Sequence, residues 1–504
     1  MVNEKDGSGV APGSPEGARS ATEGEPGAVA EVKRWSAGRK KEVVLRLLRG
    51  ESVDAISRVS APARNKNYAR QYGVATLLEA RIRALLAGGR LPPGDLQGLD
   101  AVEKHQRAIL LHQAAQHGPI FKVVAWGRFW VCVIGLPLGR KLLKEHGDSM
   151  SPVTIDIETM VPAGFMRQMS GETHQKYRTR LARALTREDV NGKQPVLERI
   201  AAELLASHEA RQASAGNKAT AYKRTLESIV AGMLIHIVFG AEPDTDFYAQ
   251  LMRGFSELGP HGSTWTQGER QQRAYAEIRQ LALARCDQLS RSGPEGSGGL
   301  MSQLLREGDL DDTMLGNLIF MVEMGRDDAT GLFRWLSKYA CRRPDLMERI
   351  AGETGASSDS RDARSLAEAL VLETLRIDQS SRLLRVVEKT IAFEGHVIPR
   401  NTLLRICLWE SHRAEETFDK PFEFSPERFV DRQYRGDEFS PFGLDRHHCP
   451  FAGVTITIAC AFLRVLARNY RISASQDGDP MMGPYFWEPA REFAVDLHAR
   501  QPNH

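Results

Sequence analysis

The sequence predicts a mainly α-helical protein with a minor β-rich region. Apolar residues recur with helical spacing through most of residues 160–350, and a last apolar helix is predicted over 452–468. Short runs rich in β-branched residues occur only around 120–134 and 384–410. The chain has 504 residues, of which 42% are hydrophobic, and this is enough for a large buried core.

Three segments are predicted along the chain. Residues 1–30 are rich in Gly, Ala, Pro, Ser and Glu, so we expect a disordered tail. Residues 31–98 are predicted to be a helical leader, in which a second short helix has Ser52 as its N-cap. This leader resembles the helix-turn-helix segment of many transposases, and a plain surface helix is the alternative. Residues 99–504 form the main domain.

Composition limits the partners and the compartment. The net charge is only +3, so nucleic acid is not an expected partner. Six cysteines occur without a CxxC pair, which is typical of reduced thiols in a cytosol. The first thirty residues lack an apolar signal region, and the most apolar stretch, Phe129–Leu138, is shorter than the roughly 20 residues that span a bilayer. We therefore expect a cytoplasmic protein that does not enter a membrane.

The main domain opens with a helix that stops at Gly118-Pro119, followed by two β-rich runs around Trp126-Gly127 that indicate a hairpin. A long apolar helix is predicted to begin after Asp311-Asp312-Thr313, which form its cap. The later strands turn at Gly395-His396, and residues 291–299 form a loop between helices.

Cys449 lies in a loop that leads directly into the last apolar helix. Backbone N–H groups at a helix N-terminus stabilise negative charge, so a thiolate is favoured there. Such a thiolate is suited to haem iron, where it promotes O–O cleavage. A buried apolar cysteine before a core helix is the alternative.

Two upstream motifs favour the haem interpretation. Glu373 and Arg376 lie three residues apart on one helix face, and Arg428 follows in the sequence FSPERF. A carboxylate bridged by two guanidinium groups would be a rigid unit. The ordered series of these three residues, then a Phe-containing loop with Cys449, is far more specific than any single member.

In this order the motifs resemble the cytochrome P450 family over roughly residues 99–500. The resemblance implies a cytochrome P450-like fold, haem b as the cofactor and Cys449 as the axial iron ligand. It implies that Glu373, Arg376 and Arg428 form a structural triad and that Phe442 packs near the sulfur. It also assigns four basic residues to the haem propionates: His174, Arg178, Arg385 and His447.

The cysteine loop departs from the family pattern at two positions. Asp445 and Phe451 stand where the family usually has Gly. Asp tolerates a positive φ moderately well. Phe451 adds a ring where the helix approaches the macrocycle, and Ala452-Gly453 offers relief through a local shift.

The long helix departs as well. Aligned on Gly325, it has Met324 in place of a small residue, the expected acid at Asp327, and Asp328 in place of the usual Thr. In the family the Thr hydroxyl assists dioxygen activation while the acid supplies protons. Asp328 can take over both roles if burial raises its pKa, because a protonated carboxyl donates a hydrogen bond. An ionised Asp328 would instead oppose the usual chemistry.

The resemblance places Phe320, Glu323, Met324 and Arg382 in the substrate pocket. Glu323 and Arg382 would orient a polar or zwitterionic small molecule, unless both side chains turn outward. Residues 1–98 lack phosphate loops and cysteine clusters, so we expect electrons from a separate ferredoxin and ferredoxin reductase.

Three functions stay open at this point. The first is a bacterial-type monooxygenase of secondary metabolism or catabolism, acting on an unidentified small organic molecule. The second, suggested by the missing Thr, is a haem-thiolate isomerase, lyase or peroxygenase. The third is a non-catalytic haem-binding protein, suggested by Phe451 and Met324.

Overall fold

The structure, a computed structural model, describes most of the chain after residue 78. The described ranges are 79–125, 127–153, 164–167, 169, 171–259, 268–292, 299–353, 364–379, 382–483 and 486–501. The predicted tail, the transposase-like segment and most of the predicted 291–299 loop lie outside these ranges.

Helices make up most of the described chain, as the sequence predicts. In chain order they are α1 (Leu99–Val102), α2 (Ile109–His117), α3 (Leu136–His146), α4 (Gly171–Arg187), α5 (Gln194–Gln212), α6 (Lys218–Phe239), α7 (Asp246–Leu258), α8 (Glu269–Ser292), α9 (Leu300–Leu305), α10 (Asp312–Arg342), α11 (Pro344–Ala351), α12 (Leu366–Thr374), α13 (Leu408–Ser411), α14 (Glu427–Asp431) and α15 (Ala452–Asn469). A short π-helical segment, Leu375–Gln379, continues α12.

The strands are short, and half of them join in one sheet. They are β1 (Leu96–Gln97), β2 (Ile120–Ala125), β3 (Arg128–Ile134), β4 (Met150–Pro152), β5 (Arg382–Val387), β6 (Ile391–Phe393), β7 (His396–Ile398), β8 (Leu403–Cys407), β9 (Tyr470–Gln476), β10 (Met481–Met482), β11 (Trp487–Glu488) and β12 (Ala494–Ala499). The six-stranded sheet has the order β1-β2-β3-β8-β5-β4.

The predicted hairpin is β2 and β3, which pair antiparallel from Ile120–Val133 to Ala125–Arg128. Alternate side chains of β3 pack into two different apolar clusters. Phe129 and Val131 belong to one cluster, and Trp130 and Cys132 belong to the other. Because successive side chains point to opposite faces of a strand, the sheet is covered on both faces. The later turn lies at Glu394-Gly395, where both residues have positive φ. This is one residue before the predicted Gly395-His396, because His396 already begins β7.

The largest apolar cluster lies among the helices, around α6, α10 and α15. The helix α10 begins where the sequence predicts, because the Asp311 side chain accepts a hydrogen bond from the Met314 N–H. The apolar helix α15 is the single described helix that is long and apolar enough to cross a membrane, and most of its residues are buried in this cluster.

The predicted boundary at residue 99 stays a prediction. The chain separates into Met1–Pro62 and Ala63–His504. Within the second unit, Ala80 is buried in an apolar cluster with the sheet, and β1 pairs with β2 at Leu96–Val123. Residues 79–97 therefore belong to the main body, because their apolar side chains and backbone groups find partners in its sheet.

Candidate active site

A cavity of about 280 Å³ lies between α10, the start of β5 and the loop before α15. One face of α10 lines it, at the spacing of successive helix turns: Met321, Met324, Gly325, Asp328, Ala329 and Leu332. Phe442 and Cys449 line it from the loop. The long helix and the cysteine loop therefore face each other across this cavity.

The loop 441–451 is shaped by backbone hydrogen bonds and two left-handed residues. The Cys449 N–H donates to the Phe442 carbonyl at 3.0 Å, which closes the loop. Gly443 and Asp445 have φ of 95° and 62°. Asp445 thus adopts the conformation that glycine adopts most easily, as the sequence predicts for this substitution.

Phe451 is accommodated without a left-handed backbone. It is the N-cap of α15 with φ −94°, and its buried ring forms part of the cavity wall. Its N–H bonds to the Cys449 sulfur. The sulfur therefore faces the cavity beside a backbone donor at the mouth of α15.

Burial opposes ionisation of the Cys449 thiol. Burial raises the pKa of Cys449 to about 11, and the Phe451 N–H and the Arg178 charge oppose the rise only in part. Burial thus outweighs the stabilisation that the helix N-terminus gives to a thiolate. A metal ion deprotonates a coordinating thiol outright, so a cation in the cavity would supply what the helix does not.

Four predicted basic residues converge on the same cavity: His174, Arg178, Arg385 and His447. Burial lowers the pKa of Arg385 to about 10, and burial also lowers the pKa of Arg178. In the described part of the chain neither guanidinium forms an ion pair, and Arg385 donates only to the Leu384 carbonyl.

The two histidines are neutral in this setting. Their ring centroids lie 4.4 Å apart. Burial, followed by the charge of Arg385, lowers the pKa of His447 to about 3, and burial lowers the pKa of His174. Neutral imidazoles and buried guanidinium groups donate hydrogen bonds, and buried cations call for anionic partners. The arrangement fits a flat group that carries two carboxylates, as haem b does.

The predicted triad meets beside this cavity. Arg376 and Glu373, both fully buried, form a bidentate pair with N–O distances of 2.7 and 2.8 Å. Arg428 reaches the same carboxylate at 3.2 Å, and the Ser425 N–H donates to it at 2.9 Å. A carboxylate with these donors fixes α12 against the segment that precedes the cysteine loop.

Asp328 is the carboxylate among the described residues that line the cavity. Its side chain is exposed to this internal space, although the carboxyl group lies deep in the protein. Burial, then the charge of Asp327, raises the pKa of Asp328 to about 7. At neutral pH the carboxyl is therefore both a proton donor and a proton acceptor.

The other predicted residues of α10 differ in where they point. Met324 lines the cavity, whereas Asp327 does not. Phe320 is buried behind Phe165, with ring centroids 4.1 Å apart, and lies outside the lining. The prediction that Glu323 lines the substrate pocket is wrong: it faces away and pairs with Arg326 at 2.6 Å. At about 100° per residue, position 323 lies on the side of α10 opposite to the face that lines the cavity.

Arg382 does line the cavity, and it also approaches Glu103 at 3.9 Å on the far side of β5. Gln379, which the resemblance also places at the pocket, lines the cavity as well, and its Nε2 donates to the Asp328 carbonyl at 3.1 Å. Sequence reasoning missed Phe165 and Phe486, which reach the cavity from distant segments. The helical spacing from Met321 was available as a signal for α10, whereas no local pattern marks the distant segments.

Comparison with known proteins gives a consistent result. A model of the cytochrome P450 family matches residues 342–488. Abscisic acid 8'-hydroxylase 1 of Arabidopsis thaliana is 23% identical over 294 residues, which cover 56% of this chain and 62% of that protein. A probable (S)-N-methylcoclaurine 3'-hydroxylase isozyme of Coptis japonica is 25% identical, over 41% of this chain and 46% of that protein. The matches thus span about half the length of these curated relatives.

Solved structures share the fold over a longer stretch. The retinoic acid-bound cyanobacterial CYP120A1 has a TM-score of 0.63 and 17% identity, covering 82% of this chain and all of that one. A zebrafish cytochrome P450 with progesterone has a TM-score of 0.62 and 18% identity, covering 78% and 99%. At these identities the likeness shows the fold.

Proposed function

Because the chain belongs to the cytochrome P450 family, we propose that it is a haem-thiolate monooxygenase of a small, largely apolar organic molecule. The reaction inserts one oxygen atom of dioxygen into a C–H bond, and the other oxygen leaves as water after uptake of two electrons and two protons. The observation that carries the proposal is the cavity in which Cys449 faces Asp328 on α10, with four basic residues around it.

The cofactor is haem b, with Cys449 as the sulfur ligand. When bound, it supplies dioxygen activation and transfer of an oxygen atom to the substrate. Arg178 and Arg385 would pair with its two carboxylates, and the neutral rings of His174 and His447 would donate hydrogen bonds to them. These contacts would satisfy buried donors that have no carboxylate partner in the described chain.

The side chains of α10 supply the proton chemistry and the apolar wall. Met324, Ala329 and Leu332 exclude water from the reacting carbon. Asp328, with a pKa of about 7, delivers protons to the cavity and recovers them from Asp327 on the neighbouring face. In this proposal the carboxyl of Asp328 takes the place of the family's Thr hydroxyl.

The substrate class follows from the wall and from the similar proteins. Abscisic acid, retinoic acid and progesterone, in the names of those proteins, are small molecules with large apolar surfaces. The described lining here is mostly apolar, with Arg382 and Gln379 as polar groups near β5. We propose an apolar substrate that one polar end orients against this wall.

The electron donor and the compartment extend the same proposal. A separate ferredoxin with its reductase would supply electrons at the cysteine side, where Arg446 is partly exposed. We further propose a cytoplasmic protein of the bacterial type that does not enter a membrane. Cell fractionation with quantification in the soluble and membrane fractions tests the location, and recovery in the membrane fraction contradicts it.

The reduced, carbon-monoxide-bound absorption spectrum of the purified protein tests the haem-thiolate assignment. We expect the red-shifted Soret band of a thiolate-ligated haem, its loss in Cys449→Ala, and its retention in the control Cys460→Ala. Cys460 is buried in α15, which follows the Cys449 loop, but lies outside the cavity lining. A wild-type protein without haem, or a Cys449→Ala protein with an unchanged band, refutes the assignment.

Asp328 favours a second candidate function, a haem-thiolate isomerase, lyase or peroxygenase. When ionised it is an anion at the position where the family has a neutral hydroxyl, and this opposes the usual use of dioxygen. Product analysis under isotopically labelled dioxygen separates the two. Label in the product supports the monooxygenase, whereas turnover with peroxide alone, or without any oxidant, supports the alternative.

A further inference from the structure

His412 lies between the structural triad and the cysteine loop. It directly follows α13, and its imidazole is fully buried. The proposed haem-thiolate reaction gives this side chain no role. A buried polar ring is costly where an apolar side chain would fill the same space, unless its nitrogens form hydrogen bonds. The partners of the ring therefore show what it does.

The ring of His412 accepts a hydrogen bond from the main chain beside the cysteine loop. The Ser440 N–H donates to His412 Nε2 at 3.0 Å, and both residues are buried. Ser440 directly precedes the loop 441–451. Because a buried backbone N–H without an acceptor is costly, the imidazole satisfies a donor that has to be paired.

The main chain of His412 is bonded to the triad. Its carbonyl accepts a hydrogen bond from Arg376 Nη1 at 3.1 Å. The next residue, Arg413, donates to the carbonyls of Arg376 at 3.1 Å and Ile377 at 2.6 Å, where α12 continues into the π-helical segment. His412 is therefore fixed against the end of α12 by its own carbonyl and by its neighbour.

Ser440 carries the connection into the cysteine loop. Its hydroxyl donates to the Gly443 carbonyl at 2.6 Å. Gly443 is one of the two left-handed residues of the loop, and the residue before it, Phe442, accepts the hydrogen bond from the Cys449 N–H. Hydrogen bonds and adjacent peptide units therefore join the ring of His412 to Cys449.

The imidazole is neutral and has a single tautomer in this arrangement. Because Nε2 accepts the hydrogen bond, the ring proton is on Nδ1. Burial, followed by the charges of Arg413 and Arg376, holds the pKa of His412 well below its usual range. A protonated ring would turn a donor towards the Ser440 N–H, whereas the neutral ring presents an acceptor.

Aromatic neighbours keep the ring in this orientation. The centroid of the His412 ring lies 5.1 Å from that of Phe439 and 6.4 Å from that of Phe418, which meets it edge-on. Phe439 directly precedes Ser440. Close packing limits rotation of the imidazole, so Nε2 stays directed at the Ser440 N–H.

We propose that His412 is a positioning residue for the sulfur ligand of the haem. Its Nε2 holds the Ser440 N–H, and this contact ties the cysteine loop to the triad. The Cys449 sulfur is thereby kept at the iron of the bound haem instead of withdrawing with its loop. This role rests on the proposed haem-thiolate function, because it acts on a sulfur that ligates iron.

Three variants separate the acceptor from the ring that carries it. His412→Phe keeps an aromatic ring and removes the acceptor, whereas His412→Gln removes the ring and places an amide oxygen near the position of Nε2. His208→Phe is the matched control, because that histidine is also buried and its Nδ1 contacts the Thr225 hydroxyl on α6. If His412 only filled space, Phe would be the milder replacement; as an acceptor, Gln is.

The first experiment measures the hydrogen bond itself. Hydrogen exchange of the haem-loaded protein, followed by mass spectrometry of peptides that contain Ser440, should be about 10-fold faster in His412→Phe, because the N–H loses its acceptor. His412→Gln and His208→Phe should exchange within about 2-fold of the wild type. Equal exchange at Ser440 in the wild type and in His412→Phe overturns the proposal.

The second experiment follows the bond between sulfur and iron. The reduced, carbon-monoxide-bound protein is held at a raised temperature at which the wild type slowly loses the red-shifted Soret band. Loss should be about 10-fold faster in His412→Phe, while His412→Gln and His208→Phe should lose the band at about the wild-type rate. Equal acceleration in the Phe and Gln variants of His412 would show that the shape of the ring matters and not its acceptor, and this overturns the proposal.

The wild type supplies a test that does not depend on the folding of His412→Phe. Nitrogen NMR spectra of the histidine-labelled, reduced and carbon-monoxide-bound protein should show His412 with a proton on Nδ1 and none on Nε2 at neutral pH, the signal being identified by its absence from His412→Gln. A proton on Nε2 overturns the proposal.

The Soret band also distinguishes the two proposals. If the wild type has no red-shifted band, the haem-thiolate function fails and the role of His412 fails with it. If the wild type has the band and His412→Phe keeps it for as long, the haem-thiolate function stands and the role of His412 fails.

Discussion

Replacing Glu373 by Gln should destabilise the protein more than any other change of one charge on α12. The substitution keeps the size of the side chain and removes the negative charge that two guanidinium groups share. Both Glu373 and Arg376 are fully buried, so the remaining charges are left uncompensated in the interior. Removing one partner of a buried ion pair costs about 3–5 kcal/mol.

The expected shift in melting temperature follows from the size of the folded unit. The unit Ala63–His504 has about 440 residues, and at about 2.1 cal/mol/K per residue its unfolding entropy is about 0.9 kcal/mol/K. A loss of about 3–5 kcal/mol therefore lowers the midpoint by about 3–6 °C. Differential scanning calorimetry of the haem-loaded protein measures this shift.

Glu368→Gln on the same helix is the matched control. That carboxylate pairs with Arg364 at 3.1 Å and is 36% exposed, so its loss should cost at most about 1 kcal/mol and shift the midpoint by about 1 °C. If Glu373→Gln melts within about 1 °C of this control, the triad does not carry the stability assigned to it.

Two further predictions concern the cavity. Arg385→Met should weaken haem retention about 10- to 100-fold, because it removes a buried charged donor; transfer of haem to apomyoglobin measures this, with the exposed Arg400→Met as control, and equal transfer rates would contradict it. Asp328→Asn keeps a hydrogen-bond donor but cannot release a proton, so turnover should fall about 100-fold and lose the part of its pH profile centred near 7. An unchanged profile would show that Asp328 handles no protons.

The triad and the cysteine loop were predictable from sequence because each is a short motif with fixed internal spacing. Glu373 and Arg376 are three positions apart, so a helix brings them to one face whatever surrounds it. Cys449 is likewise placed by the loop that its own N–H closes onto Phe442. Local geometry is sufficient in both cases.

The face of α10 that lines the cavity was predicted only in part. A motif fixes the spacing of residues along a helix, but it does not fix which side of the helix faces the cavity. Anchoring on Gly325 identified Met324 and Asp328 correctly as cavity residues, but Glu323 was assigned to the wrong face. Its partner, Arg326, is held by carbonyls of α7, some 70 residues earlier in the chain. Phe486 and Phe165 reach the cavity through tertiary packing alone, and no periodic pattern in the sequence indicates this.

The missing Thr has a structural explanation that bears on the choice between the two candidate functions. Thr330 is buried, lies outside the cavity lining and donates its hydroxyl to the Arg326 carbonyl at 2.7 Å, so it does not replace the absent hydroxyl. Asp328 is then the group on α10 that can donate into the cavity, and it does so only when protonated. Burial raises its pKa to about 7, so the donor form dominates below that pH and the anion above it. The protein should therefore favour monooxygenation at lower pH. The fraction of consumed electrons that appears in oxygenated product should decline as the pH rises through 7.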